Sequence, residues 1–221
     1  AGKKLVQLPS AIQNYADVFA RLGYPVHLDF HSIFGEAKGD LSSLPPLFRV
    51  HPSGEPWIGI APFAAHEGKV YPPRLMKQVV EQLLSQHPAA RIFLFGRGRQ
   101  EDEVFPQWCE AYGQCTVVGQ HLESVQQELV LMSHLSVMVS MDSANMHMAS
   151  LVGVPVVSVW GATHPYAGFL GWGQLLDDAV QIPLECRPCS IFGQKPCLRG
   201  DYACMNRIAP EAIVERVKAH I

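Results

Sequence analysis

Residues 137–160 read VMVSMDSANMHMASLVGVPVVSVW, and this stretch determines the predicted fold. Residues 137–140 form a short apolar run, residues 143–152 have helical character, and residues 154–160 are rich in β-branched side chains. A strand, a helix and a second strand in this order form a βαβ unit, whose strands lie parallel in one sheet. Strands composed almost entirely of apolar residues are typical of a sheet covered on both faces. The stretch therefore predicts an α/β fold.

The same alternation extends on both sides of this unit. Further strands are predicted at residues 57–61, 91–95, 116–118 and 180–184, and further helices at 73–86, from about 101, at 122–134 and at 210–220. In the helix at 122–134, Val125, Leu129 and Met132 recur every three to four residues and predict a face turned to the core. Residues 53–221 are thus predicted to form a Rossmann-like, doubly wound parallel sheet.

Residues 1–52 do not follow this alternation. Residues 11–22 have a helical pattern, residues 26–30 an extended one, and the prolines and glycine at 44–46 and 51–54 indicate a linker. We interpret this part as the remnant of a preceding domain, joined by the linker to residues 53–221.

Composition excludes several classes of protein. The 221 residues are 48% hydrophobic and 17% charged, which is enough apolar material for a core and too little charge for disorder. The net charge of −3, without a basic run, argues against nucleic acid as a partner. No run of 18 apolar residues predicts a membrane span, and the first ten residues lack a secretion signal. The predicted location is the cytoplasm.

Polar and small residues follow the strand at 137–140, where open α/β sheets bind ligands. Unpaired N–H groups at the start of the next helix attract anions, and the small side chains of Ser143 and Ala144 would let a phosphate approach closely. The alternative is that Asp142 or Ser143 merely caps the helix. His147 lies one turn further on the same face, where it is either a ligand-binding or a packed histidine.

Two loops at the same sheet edge carry further candidates. Lys69 ends the loop after the first strand and could neutralise the same anion, although a solvated lysine is the alternative. The loop from Gly96 to Glu101 is glycine-rich but lacks the third glycine of the dinucleotide-binding pattern. The sequence also lacks an Asp-x-Asp triplet and the common hydrolase and NTPase motifs.

Four cysteines lie close together near the C-terminus. Cys186, Cys189, Cys197 and Cys204 have the spacing C-x2-C-x7-C-x6-C. Four thiolates can hold a zinc ion, whereas reduced structural cysteines are the alternative in a cytoplasm that disfavours disulfides. A zinc-stabilised, non-catalytic interaction module is therefore an alternative function.

Together these segments resemble the ADP-heptose:lipopolysaccharide heptosyltransferases, the inverting glycosyltransferases of family nine. The matching motifs are IGIAPFA at 58–64 leading to KVYP at 69–72, SMDSANMHMA at 140–149, GVPVV at 153–157 and WGATHP at 160–165. The cysteine segment ending in GDYAC at 200–204 is also similar. The resemblance implies the GT-B architecture, in which two Rossmann-like domains face each other and the C-terminal domain holds the nucleotide-sugar donor.

The resemblance also implies roles for individual residues. Lys69 matches the catalytic lysine that neutralises donor phosphate, and Asp142 matches an aspartate that holds sugar hydroxyls. The expected donor-binding set is Asp142, Ser143, Ala144, Asn145 and His147 at the diphosphate and sugar, with Gly96 and Glu101 near the ribose. No metal and no other cofactor is expected, because fixed N–H dipoles and Lys69 can stabilise the departing diphosphate.

The implied function is sugar transfer, with inversion, from a nucleotide-diphosphate donor such as ADP-heptose to the lipopolysaccharide core. The carboxylate that deprotonates the acceptor belongs to the N-terminal domain in such enzymes, so this chain is expected to supply donor binding without transfer. A different nucleotide sugar is the alternative donor. At most peripheral association with the inner face of the inner membrane is expected.

Overall fold

The computed structural model describes residues 4–221, and its centre is a six-stranded sheet with the order β3-β2-β1-β4-β5-β6. The strands are β1 (Trp57–Ala61), β2 (Arg91–Leu94), β3 (Cys115–Val117), β4 (Val137–Met141), β5 (Val156–Val159) and β6 (Ala179–Val180). Every neighbouring pair is parallel. The chain winds outward in both directions from β1 and β4, so the predicted doubly wound α/β fold is confirmed.

Seven helices accompany the described sheet. They are α1 (Ala11–Arg21), α2 (Pro73–Gln86), α3 (Arg99–Ala111), α4 (Val125–Met132), α5 (Ala144–Leu151), α6 (Ala203–Asn206) and α7 (Pro210–Lys218). Proline occupies the first position of α2 and α7, where the missing N–H has no helical partner. None of the helices described within residues 4–221 combines the length and the apolar character needed to cross a membrane.

The two faces of the sheet bury separate apolar clusters. Ile58 and Ile60 of β1 face α2, α3 and α7, whereas Trp57 and Ala61 face α4 and α5. This division follows from the strand geometry, because successive side chains point to opposite faces. The helices packed on both faces hold the sheet rigid, and the carboxyl ends of its parallel strands lie together at one edge.

Residues 26–30, predicted to be extended, belong to none of the described helices and strands. Two local predictions are wrong. The strand predicted at 180–184 is reduced to Ala179–Val180, since Pro183 interrupts the backbone donors on this sheet edge. Val125 is exposed rather than core-facing, because α4 begins there, at its solvent end, and buries Val130, Leu131 and Met132 instead.

The N-terminal part divides into a packed and an exposed portion. Leu44 and Phe48, at the predicted linker, are 1% and 0% exposed and belong to the cluster that also contains Trp57. In contrast, α1 buries Ala16 but leaves Tyr15 and Phe19 largely exposed. The linker is therefore firmly attached to the sheet, and the domain boundary near residue 52 remains a prediction.

Candidate functional site

The loops after β1, β2 and β4 enclose a cavity of about 740 Å³ at the carboxyl edge of the sheet. The residues predicted from sequence all line it: Lys69, Gly96, Glu101, Asp142, Ser143, Ala144, Asn145 and His147. Their convergence follows from the topology, because strands that run parallel in neighbouring positions end at the same edge. The predicted grouping is thus observed, while the role of each residue remains a prediction.

Lys69 and Asp142 form an ion pair inside this cavity. Lys69 Nζ lies 3.0 Å from Asp142 Oδ2, and the two side chains are 16% and 8% exposed. The Thr163 hydroxyl donates to the same carboxylate oxygen at 2.8 Å. A pair so withdrawn from water is held in one geometry much more firmly than a surface ion pair. The alternative of a solvated Lys69 is therefore wrong.

Close packing fixes the approach of Lys69. Lys69 ends a 3₁₀ turn (Glu67–Lys69), and the carbonyl of Gly68 accepts a hydrogen bond from the Ala162 N–H at 2.8 Å. On the other side Gly193, with a φ of 79°, lies so close that a Cβ there would be 2.9 Å from Lys69 Cγ. The lysine stem is therefore confined between two glycine-containing segments, and its ammonium group points to Asp142.

The start of α5 is free of the side-chain cap that the alternative interpretation required. Ser143 occupies the N-cap position in extended conformation, but its side chain makes no capping hydrogen bond to the described first turn. Its hydroxyl instead lies 3.2 Å from the Ser140 hydroxyl, and Asp142 is engaged with Lys69. The first N–H groups of α5 are consequently available to an anion in the cavity.

His147 lies one turn into α5 and is exposed toward the cavity rather than packed in the core. Its pKa is lowered from 6.5, mainly because the neighbouring protein displaces water; the Asp142 carboxylate acts in the opposite direction, and Lys69 adds to the lowering. The imidazole is therefore mostly neutral at pH 7, so it can donate or accept a hydrogen bond without carrying charge.

Glu101 folds back over the glycines that precede α3. Gly96 and Gly98 have φ values of 137° and 143°, which L side chains rarely adopt. A Cβ on Gly96 would lie 2.9 Å from Glu101 Oε1, so the carboxylate occupies the space that a side chain there would need. Arg97 points elsewhere, donating to the Gly119 carbonyl at 2.8 Å. Arg97 also lines the cavity, but its guanidinium is bound to Gly119 and Glu128, so the Glu101 carboxylate is the group that this loop folds over its glycines.

Sequence reasoning missed two residues that support this site. Thr163 lies in the quoted segment at 160–165, but a threonine in a loop carries no signal that it binds a distant aspartate. Arg187 is 3% exposed and donates to the Thr163 carbonyl at 2.9 Å. An arginine between two cysteines gives no local pattern that predicts a buried hydrogen-bonding centre.

The geometry does not support the alternative that the C-terminal cysteines hold a zinc ion. Within residues 4–221, no group of three or more His, Cys, Asp or Glu side chains is arranged to hold a metal ion. Cys204 is buried near the side of the sheet covered by α2 and α7, whereas Cys197 lies partly exposed in the loop before α6. The thiols of Cys186, Cys189 and Cys197 act electrostatically on Cys204, so the four side chains lie in one neighbourhood, but among the described residues they do not have the arrangement of a metal site.

Comparison with known proteins agrees with the motifs. The family model described as glycosyltransferase family 9 (heptosyltransferase) matches residues 3–195. The lipooligosaccharide heptosyltransferase 2 of Campylobacter jejuni is 23% identical over 130 residues, which cover 58% of this chain and 40% of that protein.

The structure is also similar to that of E. coli heptosyltransferase WaaC. The WaaC structure with ADP is 16% identical, with a TM-score of 0.66, and the alignment covers 99% of this chain and 59% of WaaC. The structure with ADP-2-deoxy-2-fluoro heptose gives a TM-score of 0.64 at 16% identity, covering 99% of this chain and 58% of that one. Similarity at this identity shows a shared fold. The chain spans 40% of the curated relative and somewhat more than half of the solved one.

Proposed function

Because the chain belongs to glycosyltransferase family 9, the heptosyltransferases, we propose that it binds a nucleotide-diphosphate sugar, ADP-heptose, in the cavity at the carboxyl edge of the sheet. The reaction is transfer of the sugar, with inversion, to the lipopolysaccharide core. The Lys69–Asp142 pair, 3.0 Å apart beside the uncapped start of α5, is the observation that carries this proposal.

Lys69 and α5 act on the diphosphate. An ammonium group has three N–H donors, so Lys69 can keep its hydrogen bond to Asp142 and still donate to phosphate oxygens. The N–H groups of Ala144 and Asn145 add the positive end of the helix dipole. As the bond between sugar and phosphate breaks, negative charge grows on the diphosphate, and these fixed donors stabilise it without reorganising water. Lys69 is therefore the proposed catalytic residue.

The remaining cavity residues orient the donor. The described contacts of Asp142 from Lys69 and Thr163 both end on Oδ2, so Oδ1 is the oxygen that we propose accepts a hydrogen bond from a sugar hydroxyl. Glu101 faces the cavity from the opposite loop and is positioned to accept from ribose hydroxyls. Neutral His147 adds a hydrogen bond near the diphosphate.

We assign residues 53–221 to the donor-binding domain and residues 1–52 to a remnant of the acceptor domain with its linker. The acceptor, lipopolysaccharide core, and the carboxylate that deprotonates it belong to the other half of the cleft. The donor site uses Lys69 and α5 for positive charge, so nucleotide binding is expected to be unchanged by a metal chelator. The proposed location is the cytoplasm, with at most peripheral contact to the inner membrane.

Calorimetric titration with ADP, UDP and GDP, each with and without EDTA, tests this proposal. We expect saturable binding of ADP that is tighter than that of UDP or GDP and insensitive to EDTA. Preference for UDP would support the alternative, a transferase using another nucleotide sugar. Absence of binding for all three nucleotides would overturn the assignment of the cavity as a donor site.

A further inference from the structure

Arg187 is a buried cation behind the candidate site, with a side chain that is 3% exposed. Among the described residues, its hydrogen-bond partners are neutral oxygen acceptors: the carbonyls of Trp160 (3.1 Å), Gly161, Thr163 (2.9 Å) and Ile182 (2.6 Å), and the side-chain amide of Gln181 (3.0 Å). Three of these carbonyls belong to residues 160–163. A guanidinium removed from water requires an acceptor for each N–H, so Arg187 holds this segment in one conformation.

The charge of Arg187 remains in place despite its burial. Loss of hydration lowers the pKa of the Arg187 guanidinium from its usual range, and the thiols of Cys204, Cys186 and Cys189 oppose that change. An arginine starting from so high a pKa stays protonated at pH 7. Its charge also acts on the residue that follows the segment, because the pKa of His164 is lowered first by burial and then by Arg187.

Residues 160–163 contact Asp142 and the residue that precedes Lys69. The Thr163 hydroxyl donates to Asp142 Oδ2 at 2.8 Å. The Ala162 N–H donates to the carbonyl of Gly68, the residue before Lys69, at 2.8 Å. One segment therefore orients the carboxylate directly and the lysine through its backbone.

The packing between this segment and the turn before Lys69 leaves no space for an added methyl group. A Cβ on Gly68 would lie 2.7 Å from Ala162 Cβ, and a Cβ on Gly161 would lie 2.5 Å from the Gly68 carbonyl oxygen. Surfaces in such contact move together, because interiors at native density have little free volume. A shift of residues 160–163 would therefore displace Lys69 as well as Thr163.

We propose that Arg187 is a positioning residue for the diphosphate site: it holds residues 160–163, which in turn keep Lys69 and Asp142 in their paired geometry. The inference rests on the proposed function for the identity of the bound group. It extends that function by placing a required residue behind the cavity, where it contacts neither the nucleotide nor the sugar.

Binding of ADP and of adenosine to Arg187→Met, Thr163→Val and the double variant tests this role. Each single change should weaken ADP binding by about tenfold. The loss in the double variant should not exceed the larger of the two single losses, because Arg187 and Thr163 act through one hydrogen-bond network. Adenosine lacks the diphosphate, so its affinity should not change. Arg216→Met, which alters an exposed arginine on α7, is the control and should bind both ligands normally.

An equal loss for ADP and adenosine, or an additive loss in the double variant, would overturn the proposal by showing general disruption. Unchanged ADP binding in Arg187→Met would overturn it too. If Arg187→Met does not fold, Arg187→Lys is used, which keeps the charge but cannot reach all the acceptors; it should show the same selective loss of ADP binding.

Amide hydrogen exchange separates failure of this inference from failure of the proposed function. In the ligand-free protein, Arg187→Met should expose the Ala162 N–H to faster exchange, whereas Arg216→Met should not. If the unchanged protein binds no ADP, the proposed function fails, and the exchange of Ala162 alone decides whether Arg187 positions the segment. Unchanged Ala162 exchange in Arg187→Met would refute the positioning role.

Discussion

Replacement of Lys69 by methionine is the perturbation most directly linked to the proposed chemistry. Methionine keeps an unbranched side chain, so the stem can still pack beneath Gly193, but the ammonium group is lost. Asp142 keeps the Thr163 hydrogen bond at 2.8 Å and loses the Lys69 partner at 3.0 Å. The variant therefore removes a phosphate-directed charge and leaves a carboxylate beside the nucleotide.

The size of the effect follows from these contacts. A charge-assisted hydrogen bond contributes about 1.5–3 kcal/mol, which corresponds to a loss of roughly 10- to 150-fold in affinity. The carboxylate of Asp142 then faces the diphosphate without its cation, and two like charges ~8 Å apart repel by about 2 kcal/mol at an effective dielectric constant of 20. Both contributions act in the same direction. Together they amount to about 4 kcal/mol, so we expect ADP to bind on the order of 1,000-fold more weakly.

Isothermal titration calorimetry with ADP and adenosine measures this effect. Lys38→Met, a change at an exposed lysine in the N-terminal part of the chain, is the matched control and should bind ADP normally. Adenosine should bind Lys69→Met and the unchanged protein equally well. A tenfold change in affinity corresponds to ~1.4 kcal/mol. If the ADP affinity of Lys69→Met stays within about twofold of that of the unchanged protein, Lys69 does not contact the diphosphate and the reasoning is wrong.

Three other outcomes are expected. Asp142→Asn should bind ADP more tightly, by about 1 kcal/mol, because it removes a negative charge near the diphosphate. Its affinity for ADP-heptose should fall relative to its affinity for ADP. Calorimetry with both ligands would contradict this if the two affinities changed in parallel. In an NMR titration, His147 should have a pKa below 6.5, and bound ADP should raise this pKa. Because the pKa is lower in the folded than in the unfolded protein, the stability linked to His147 is present above pH 6.5. It is lost as the pH falls through the folded pKa. Gly161→Ala should lower the free energy of unfolding in urea by about 1–3 kcal/mol, because its Cβ would lie 2.5 Å from the Gly68 oxygen, whereas Gly113→Ala, with open space around it, should change it by no more than about 0.5 kcal/mol; equal effects would disprove the steric argument.

The sequence predicted the sheet and the site edge because both depend on short-range patterns. Strands β4 and β5 are recognisable from short segments dominated by valine, and Pro73 and Pro210 mark helix starts for steric reasons. Parallel strands joined by helices must end at a common edge. The predicted residues of three separate loops therefore line one cavity, as the structure shows.

Pairing and burial at single positions were decided by the tertiary structure. Ser143 has the residue type of a helix cap, yet its hydroxyl turns to Ser140; Val125 continues a helical pattern, yet lies at the exposed end of α4. A local pattern states what a residue can do, but several partners compete for each polar group. The partner that is bound depends on distances set by the whole fold.

The residues that hold the Lys69–Asp142 ion pair in place illustrate the difference between local pattern and tertiary contact. Lys69, Asp142 and Arg187 are distant along the chain, and the sequence by itself indicated an anion-binding lysine and an aspartate at one sheet edge. Only the folded chain brings Thr163 to Asp142 and seats Arg187 beneath residues 160–163. The physical reason is that backbone sterics and hydrophobic alternation act between near neighbours, whereas hydrogen-bond partners are selected by close packing between segments far apart in sequence.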